Sequence, residues 1–238
     1  MPIHLRPNAP LAPRVLLPGD PGRAMLLAQD LLDEPKMFNH HRGLWGYTGR
    51  AGDDELLTIQ STGMGGPSTA IVVAELADLG AKRLVRVGTC GALRPSLRLG
   101  DLLVAREAIS SDGTSRALGA ADRIAPSPGL LEALLAATQG APGAHAGAVA
   151  STDLFYDAPP DQEKRWIAAG ALAVEMEAAT LFAVAVKRGL EAAALLIVSD
   201  LLHPSRARIA EDLLHEAEHR LGQTALRALA PAQQTAPA

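Results

Sequence analysis

The chain holds a single cysteine, Cys90, among 238 residues. An internal disulfide is thereby excluded, and the expected compartment is a reducing cytoplasm. Aromatic residues make up only 3% of the chain. So thin a supply argues against a stacking platform for single-stranded nucleic acid. Positive charge is not in excess either: 22 Lys and Arg against 26 Asp and Glu give a net charge of −4. That balance supplies no basic field for nucleic acid. No uninterrupted apolar run has the length of a membrane span. The start, from Met1 to Pro7, lacks the apolar segment of a signal peptide. Neither nucleic acid nor membrane is therefore an expected partner. Metal signatures are missing too. The seven histidines include His40-His41 but no His-Glu-x-x-His pattern, and one cysteine cannot make a paired site. Also absent are a Gly-x-Ser-x-Gly elbow, a Walker loop and a Gly-x-Gly-x-x-Gly after a strand.

What remains is an ordinary soluble composition, 48% hydrophobic and 20% charged. Short apolar runs at 14–17, 56–60, 83–87, 102–106, 147–150, 171–174 and 193–198 read as strands. Helical segments are expected at 23–32, 69–79, 130–138, 162–169, 176–188 and 209–229, with Gly80 closing the second. Strand and helix alternate throughout, with no repeat and no dividing linker. The fold class expected is α/β: a single domain over 1–230, with a central mixed sheet flanked by helices on both faces. Residues 231–238 lack bulky apolar side chains and are expected to form a frayed tail.

Glycines and polar residues recur just after the strands. They are Gly19-Asp20, Gly63-Met64-Gly65, Gly88-Thr89, Asp153, Glu175-Met176-Glu177 and Ser199-Asp200. In open α/β sheets the carboxyl ends of strands converge on one ligand crevice. Gly19 lets a backbone come close to a ligand, and Arg23 follows at the next helix start, a natural anion site. Arg86 interrupts the apolar run Leu84-Val85-Arg86-Val87, and buried charges are rarely left unpaired. Arg42 lies in the polar stretch Asn39-His40-His41-Arg42-Gly43. Three arginines with Thr89 would hold a phosphate dianion; separate solvated arginines are the bland alternative. Gly88-Thr89-Cys90-Gly91 reads as a second glycine loop. Glu175 and Glu177 could accept from a vicinal diol, or simply complement a helix dipole. Asp200 ends an apolar strand, where partial desolvation favours a protonated carboxyl and general acid chemistry; it could equally cap a helix. Phe155 could stack on a planar base, and Met64 could pack on a sugar face.

In this order the pieces resemble the nucleoside phosphorylase-I family, and within it the bacterial hexameric purine enzymes. The matching stretches are Leu-Pro-Gly-Asp-Pro-Gly-Arg at 17–23, His-Arg-Gly-Leu-Trp-Gly-Tyr-Thr-Gly at 41–49 and Thr-Gly-Met-Gly-Gly-Pro-Ser at 62–68. Arg-Val-Gly-Thr-Cys-Gly-Ala at 86–92, Asp-Leu-Phe-Tyr at 153–156, Val-Glu-Met-Glu-Ala-Ala at 174–179 and Val-Ser-Asp at 198–200 complete the set. The resemblance implies that Gly19, Arg23, Arg86 and Thr89 bind phosphate, joined by Arg42 from a neighbouring subunit. It implies that His4, also from the neighbour, holds the ribose 5′ hydroxyl, and that Met64, Met176 and Glu177 hold the sugar. Phe155, Val174, Glu175, Ser199 and Asp200 would face the base, with Asp200 protonating it as it leaves. Arg86 and Asp200 would be the catalytic pair. The implied assembly is a homohexamer, a trimer of dimers. Phosphate would be a co-substrate, and no metal or cofactor is implied. One departure is that the arginine that assists the aspartate in the family could be Arg206 or Arg208 here, or be absent.

Three rivals share or imitate this pattern. Uridine phosphorylase reads its pyrimidine with Gln-x-Arg after the Phe-Tyr pair. Here Gln162-Glu163-Lys164-Arg165 is displaced by the residues 157–161, and the spacing is wrong. A nucleosidase would use water and leave Arg23, Arg42 and Arg86 without a task. A non-catalytic nucleoside-binding protein would not need both the acid and the arginines. Whether 6-oxo or 6-amino purines are preferred is left open by the residues.

Overall fold

Side chains of the strand Glu191–Leu201 alternate between two apolar cores. Leu195 and Ile197 enter one; Leu196 and Val198 enter the other. Both faces of the sheet are therefore buried, and each needs a layer of helices. The structure, a computed structural model, describes residues 2–230. The tail expected at 231–238 lies outside the described residues.

In chain order the elements are β1 (Arg14–Leu17), α1 (Pro21–Leu31), β2 (Leu32–Asn39), β3 (Gly46–Ala51), β4 (Leu56–Gln60) and α2 (Gly65–Leu79). Next come β5 (Arg83–Ala92), β6 (Leu102–Ser110), α3 (Gly113–Ala117), β7 (Arg123–Ile124), α4 (Pro128–Thr138) and β8 (Ala144–Ser151). The chain continues with α5 (Gln162–Ala168), β9 (Ala171–Glu175), α6 (Ala178–Arg188), β10 (Glu191–Leu201), β11 (Ala207–Arg208) and α7 (Glu211–Leu229). β5 is the hub of one mixed sheet. It pairs in parallel with β1 and β10, and β9 joins it antiparallel at Gly91 and Ala92. β10, β6, β8 and β9 then lead back to β5, so this part of the sheet closes on itself. β4, β3 and β2 extend it beyond β1. Helices α2 and α6 cover one face through Leu76, Leu181 and Phe182. α1, α4 and α7 cover the other through Leu27, Leu134 and Leu221. Truncating Phe182 to alanine in such a core costs about 3–5 kcal/mol.

Local chemistry sets several boundaries. Asp20 caps α1 by accepting from Gly22 N at 2.7 Å, and Pro21 fits the first turn because its missing N–H has no helical partner. α2 ends at Gly80 as expected, in the left-handed region at φ 108°. Two expectations are corrected. The stretch Gly88-Thr89-Cys90-Gly91 is not a loop but the second half of β5. Gly88 is small because the Arg86 guanidinium folds over it: a Cβ there would lie 2.7 Å from Arg86 Cζ. β2 and β3 were not anticipated. β2 is an edge strand with an exposed, charged middle around Pro35, so it shows no apolar alternation.

Candidate active site

The strand ends do converge. They line a cavity of about 1160 Å³ that includes Gly19, Arg23, Met64, Arg86, Thr89, Phe155, Val174, Met176, Glu177, Ser199 and Asp200. This exceeds the roughly 300–1,000 Å³ common for small-molecule pockets. Gly19 and Gly63 pack their backbones together: a Cβ on Gly19 would meet the Gly63 carbonyl at 3.3 Å and Arg86 Nη1 at 3.9 Å. Arg86 is buried. Its Nε donates to Glu175 Oε2 at 3.0 Å, and its Nη2 pairs with Glu177 Oε2. Burial pulls its proton affinity down, but Glu177 and Glu175 outweigh this and raise it. Nη1 is buried with no acceptor among the described residues. An unmet buried donor costs about 1–3 kcal/mol, so a group pointing here beside Gly19 is a place for an anion. Arg23 reaches the same end of the cavity from the first turn of α1, with Nε donating to Glu218 Oε1 at 2.6 Å.

The paired glutamates both line the cavity but differ in what they bond. Glu175 ends β9 with its side chain turned inward and fully buried. Its oxygens accept from Arg86 Nε, from Ser151 Oγ at 2.5 Å, from Glu177 N at 2.9 Å and from Ala178 N at 3.0 Å. Burial raises its proton affinity, opposed by Arg86. No oxygen is left for a base or a diol, so its task is to fix Arg86 and the start of α6. Glu177 lies two residues on. It accepts from Gly65 N at 2.6 Å, at the start of α2 where φ is +83°. Ser151 was not singled out as a site residue; it ends β8 and supports Glu175 and the Ala179 N–H together.

The other end of the cavity is built differently. Leu154, Phe155 and Tyr156 are exposed, and Phe155 meets Tyr156 edge-on with ring centroids 4.9 Å apart. β10 slips register against β5 between Val198 and Asp200. Such bulges re-aim side chains next to sites. Here the bulge brings both Ser199 and Asp200 to the cavity, and Ser199 Oγ donates to Asp200 Oδ2 at 2.7 Å. Arg208 stands opposite Asp200 across the β10–β11 pair. Arg206 is instead held by Glu163 at 3.3 Å. Gln162 donates to Ser111 Oγ at 3.1 Å and does not line the cavity.

His4 and Arg42 stand apart from the cavity of their own chain. His4 Nδ1 meets Glu75 Oε1 at 2.7 Å, while Glu75 also accepts from the main-chain N–H of Ile3, His4 and Leu5. Burial pushes the Glu75 carboxyl up, but these hydrogen bonds prevail and hold it at about 2. Arg42 is exposed in the short 3-10 turn His41–Gly43, at φ 59°. Among the described residues no cluster of three His, Cys, Asp or Glu could hold a metal ion, and no helix is long and apolar enough to cross a membrane.

Arginines and carboxylates gather around one cavity of a mixed sheet between helix layers. The chain matches the phosphorylase superfamily over residues 13–231 and belongs to it. Among curated relatives, a DeoD-type purine nucleoside phosphorylase of Caldanaerobacter subterraneus subsp. tengcongensis is 37% identical over 216 residues, covering 89% of this chain and 93% of the relative. One of the same description from Jannaschia sp. is 39% identical over 205 residues, covering 84% and 87%. Among solved structures, uridine phosphorylase from Vibrio fischeri ES114 superposes with a TM-score of 0.82 at 29% identity, covering 92% of each chain.

Proposed function

We propose that the chain is a purine nucleoside phosphorylase, a pentosyltransferase that converts a purine (deoxy)ribonucleoside and phosphate into free base and (deoxy)ribose 1-phosphate. One observation carries the reading. Arg86 Nη1 is buried, without a partner among the described residues and beside Gly19, in the lining of the same cavity as Asp200 and Phe155. Phosphate held by Arg86, Arg23, Thr89 and the Gly19 backbone lies at one side of the sugar, and a base stacked on Phe155 at the other. The C1′–N bond breaks with its electron pair going to the base, and a phosphate oxygen bonds C1′. Charge develops on the sugar as in glycoside cleavage, and the phosphate stabilises it. Asp200 gives a proton to the departing base and so makes it a neutral leaving group. Arg208, placed opposite Asp200, takes the assisting role rather than Arg206.

The purine assignment follows the relatives of 37–39% identity, which carry that name. It agrees with Gln162, which is turned to Ser111 and away from the cavity. Met64, Met176 and Glu177 hold the ribose. His4 and Arg42 serve a neighbouring subunit's cavity in a homohexamer of three dimers. Arg23 and Arg86 already face Glu218, Glu175 and Glu177, so a further cation from outside improves the site for a dianion. Phosphate is the co-substrate, no metal or cofactor takes part, and the setting is cytoplasmic purine salvage.

Release of free base from inosine, adenosine and uridine, each with and without phosphate, tests this. Phosphate-dependent cleavage of the purine nucleosides with uridine inert is expected. Cleavage of uridine alone would move the assignment to a pyrimidine enzyme, and cleavage independent of phosphate would make it a nucleosidase.

A further inference from the structure

We infer that Glu218, on the last helix and 195 residues from its partner, is the residue that aims Arg23 at the phosphate. Glu218 is 5% exposed on the face of α7 that packs against α1. The apolar core that α7 and α1 share includes Ala217 and Leu221 on α7 and Ala24 and Leu27 on α1. The two helices are in tight contact one turn further on. A Cβ at Gly222 would come 2.6 Å from Leu27 Cδ2. Arg23 and Leu27 are four apart on α1, as Glu218 and Gly222 are on α7, so the ion pair and the close contact share one seam.

The geometry is selective. Glu218 Oε1 accepts from Arg23 Nε at 2.6 Å, and among the described residues it is the only partner of that carboxylate. A guanidinium offers five N–H groups in a planar fork. Tying Nε leaves the four Nη hydrogens without an acceptor among the described residues, on a side chain that is 10% exposed and lines the cavity with Gly19 and Arg86. A buried ion pair is a poor source of stability, since an apolar pair of similar volume often does as well. The placement makes sense instead as orientation, because preorganised donors need no rearrangement when the anion arrives.

Charge and orientation predict opposite signs. Glu218 sets a negative group beside an anion site, so by charge alone its removal strengthens phosphate binding. If it aims Arg23, removal weakens binding. The inference rests on the phosphorylase reading, and the experiment separates the two. Phosphate KM, nucleoside KM at saturating phosphate and the binding of inorganic phosphate by calorimetry are compared in the wild type, Glu218→Met, Glu218→Asp and Glu218→Gln. In Glu218→Met, phosphate KM and the calorimetric Kd are expected to rise about tenfold while nucleoside KM stays within about twofold. Glu218→Asp keeps the charge but retracts it and should also weaken phosphate; Glu218→Gln keeps an acceptor at the same reach and should recover most of the affinity. If the apolar variant does not fold, the Asp and Gln variants decide by the same readouts. Unchanged or tighter phosphate binding in Glu218→Met and Glu218→Asp would overturn the role of Glu218 alone. A wild-type protein indifferent to phosphate in both assays would overturn the phosphorylase reading with it.

Discussion

The two ends of the cavity are built in opposite ways. At the phosphate end a fixed network leaves Arg86 Nη1 open: Arg86 lies between Glu175 and Glu177, Glu175 on Ser151 and two main-chain N–H groups, Glu177 on Gly65. These groups are buried, Arg86 within β5 and the others at strand ends and helix starts. At the base end the aromatic side chains are open: Phe155 is 66% exposed and Tyr156 77%. Arg206 there bonds Glu163, and His203 Nε2 lies 3.2 Å from the same carboxylate. The difference teaches a division of labour. A buried network holds an anion without rearrangement, whereas an exposed loop can change with the leaving group while leaving the fold intact.

The largest effect expected is at the buried end. Arg86→Met leaves Glu175 and Glu177 without their cation, so it should cost about 3–5 kcal/mol of stability as well as the phosphate-dependent activity. Denaturant unfolding beside turnover measures both, and a variant that is inactive yet fully stable would break the comparison. Next is Asp200→Asn. Its kcat for inosine should fall about 10²–10⁴-fold, the range for a lost general acid. With 7-methylguanosine, whose base already carries positive charge, the loss should largely vanish; an equal loss on both substrates would remove the acid role. Phe155→Ala should raise nucleoside KM by about 1–3 kcal/mol of lost stacking and leave the melting temperature unchanged. A fall in stability there would show that the base end is less independent than its exposure implies. The smallest effect lies outside both ends. Hydrogen bonds lower the Glu75 carboxyl from 4.5 to about 2 in the folded chain. Because the folded value lies below the unfolded one, its contribution is whole above about pH 4.5 and is lost as pH falls toward 2. Unfolding free energies of the wild type and Glu75→Gln should therefore converge across that window, and parallel curves would refute the assignment.

Much of this was legible in the sequence, and for identifiable reasons. β1, β10, α2 and α7 announce themselves by apolar runs or helical spacing with capping residues. The residues that follow strands were found as site candidates because topology alone brings strand ends together. Arg86 stood out because a charge inside an apolar strand needs buried partners, and it has two. What stayed hidden depended on distance along the chain or on side-chain direction. Glu218 and Glu75 look like ordinary helix glutamates until Arg23 and His4 are placed against them. Glu175 and Glu177 look equivalent in a line of text, yet Glu175 is saturated by Arg86, Ser151 and main-chain N–H groups while Glu177 meets Arg86 and Gly65 N. β2 escaped because an edge strand with Pro35 in it carries no alternation, and the glycines of β5 suggested a turn when they were making room for Arg86.

The most direct measurement is phosphorus NMR of inosine incubated with the protein and inorganic phosphate. A ribose 1-phosphate resonance growing in step with hypoxanthine is expected. Hypoxanthine released without that resonance, or at the same rate in phosphate-free buffer, would contradict a cavity built around a phosphate nucleophile.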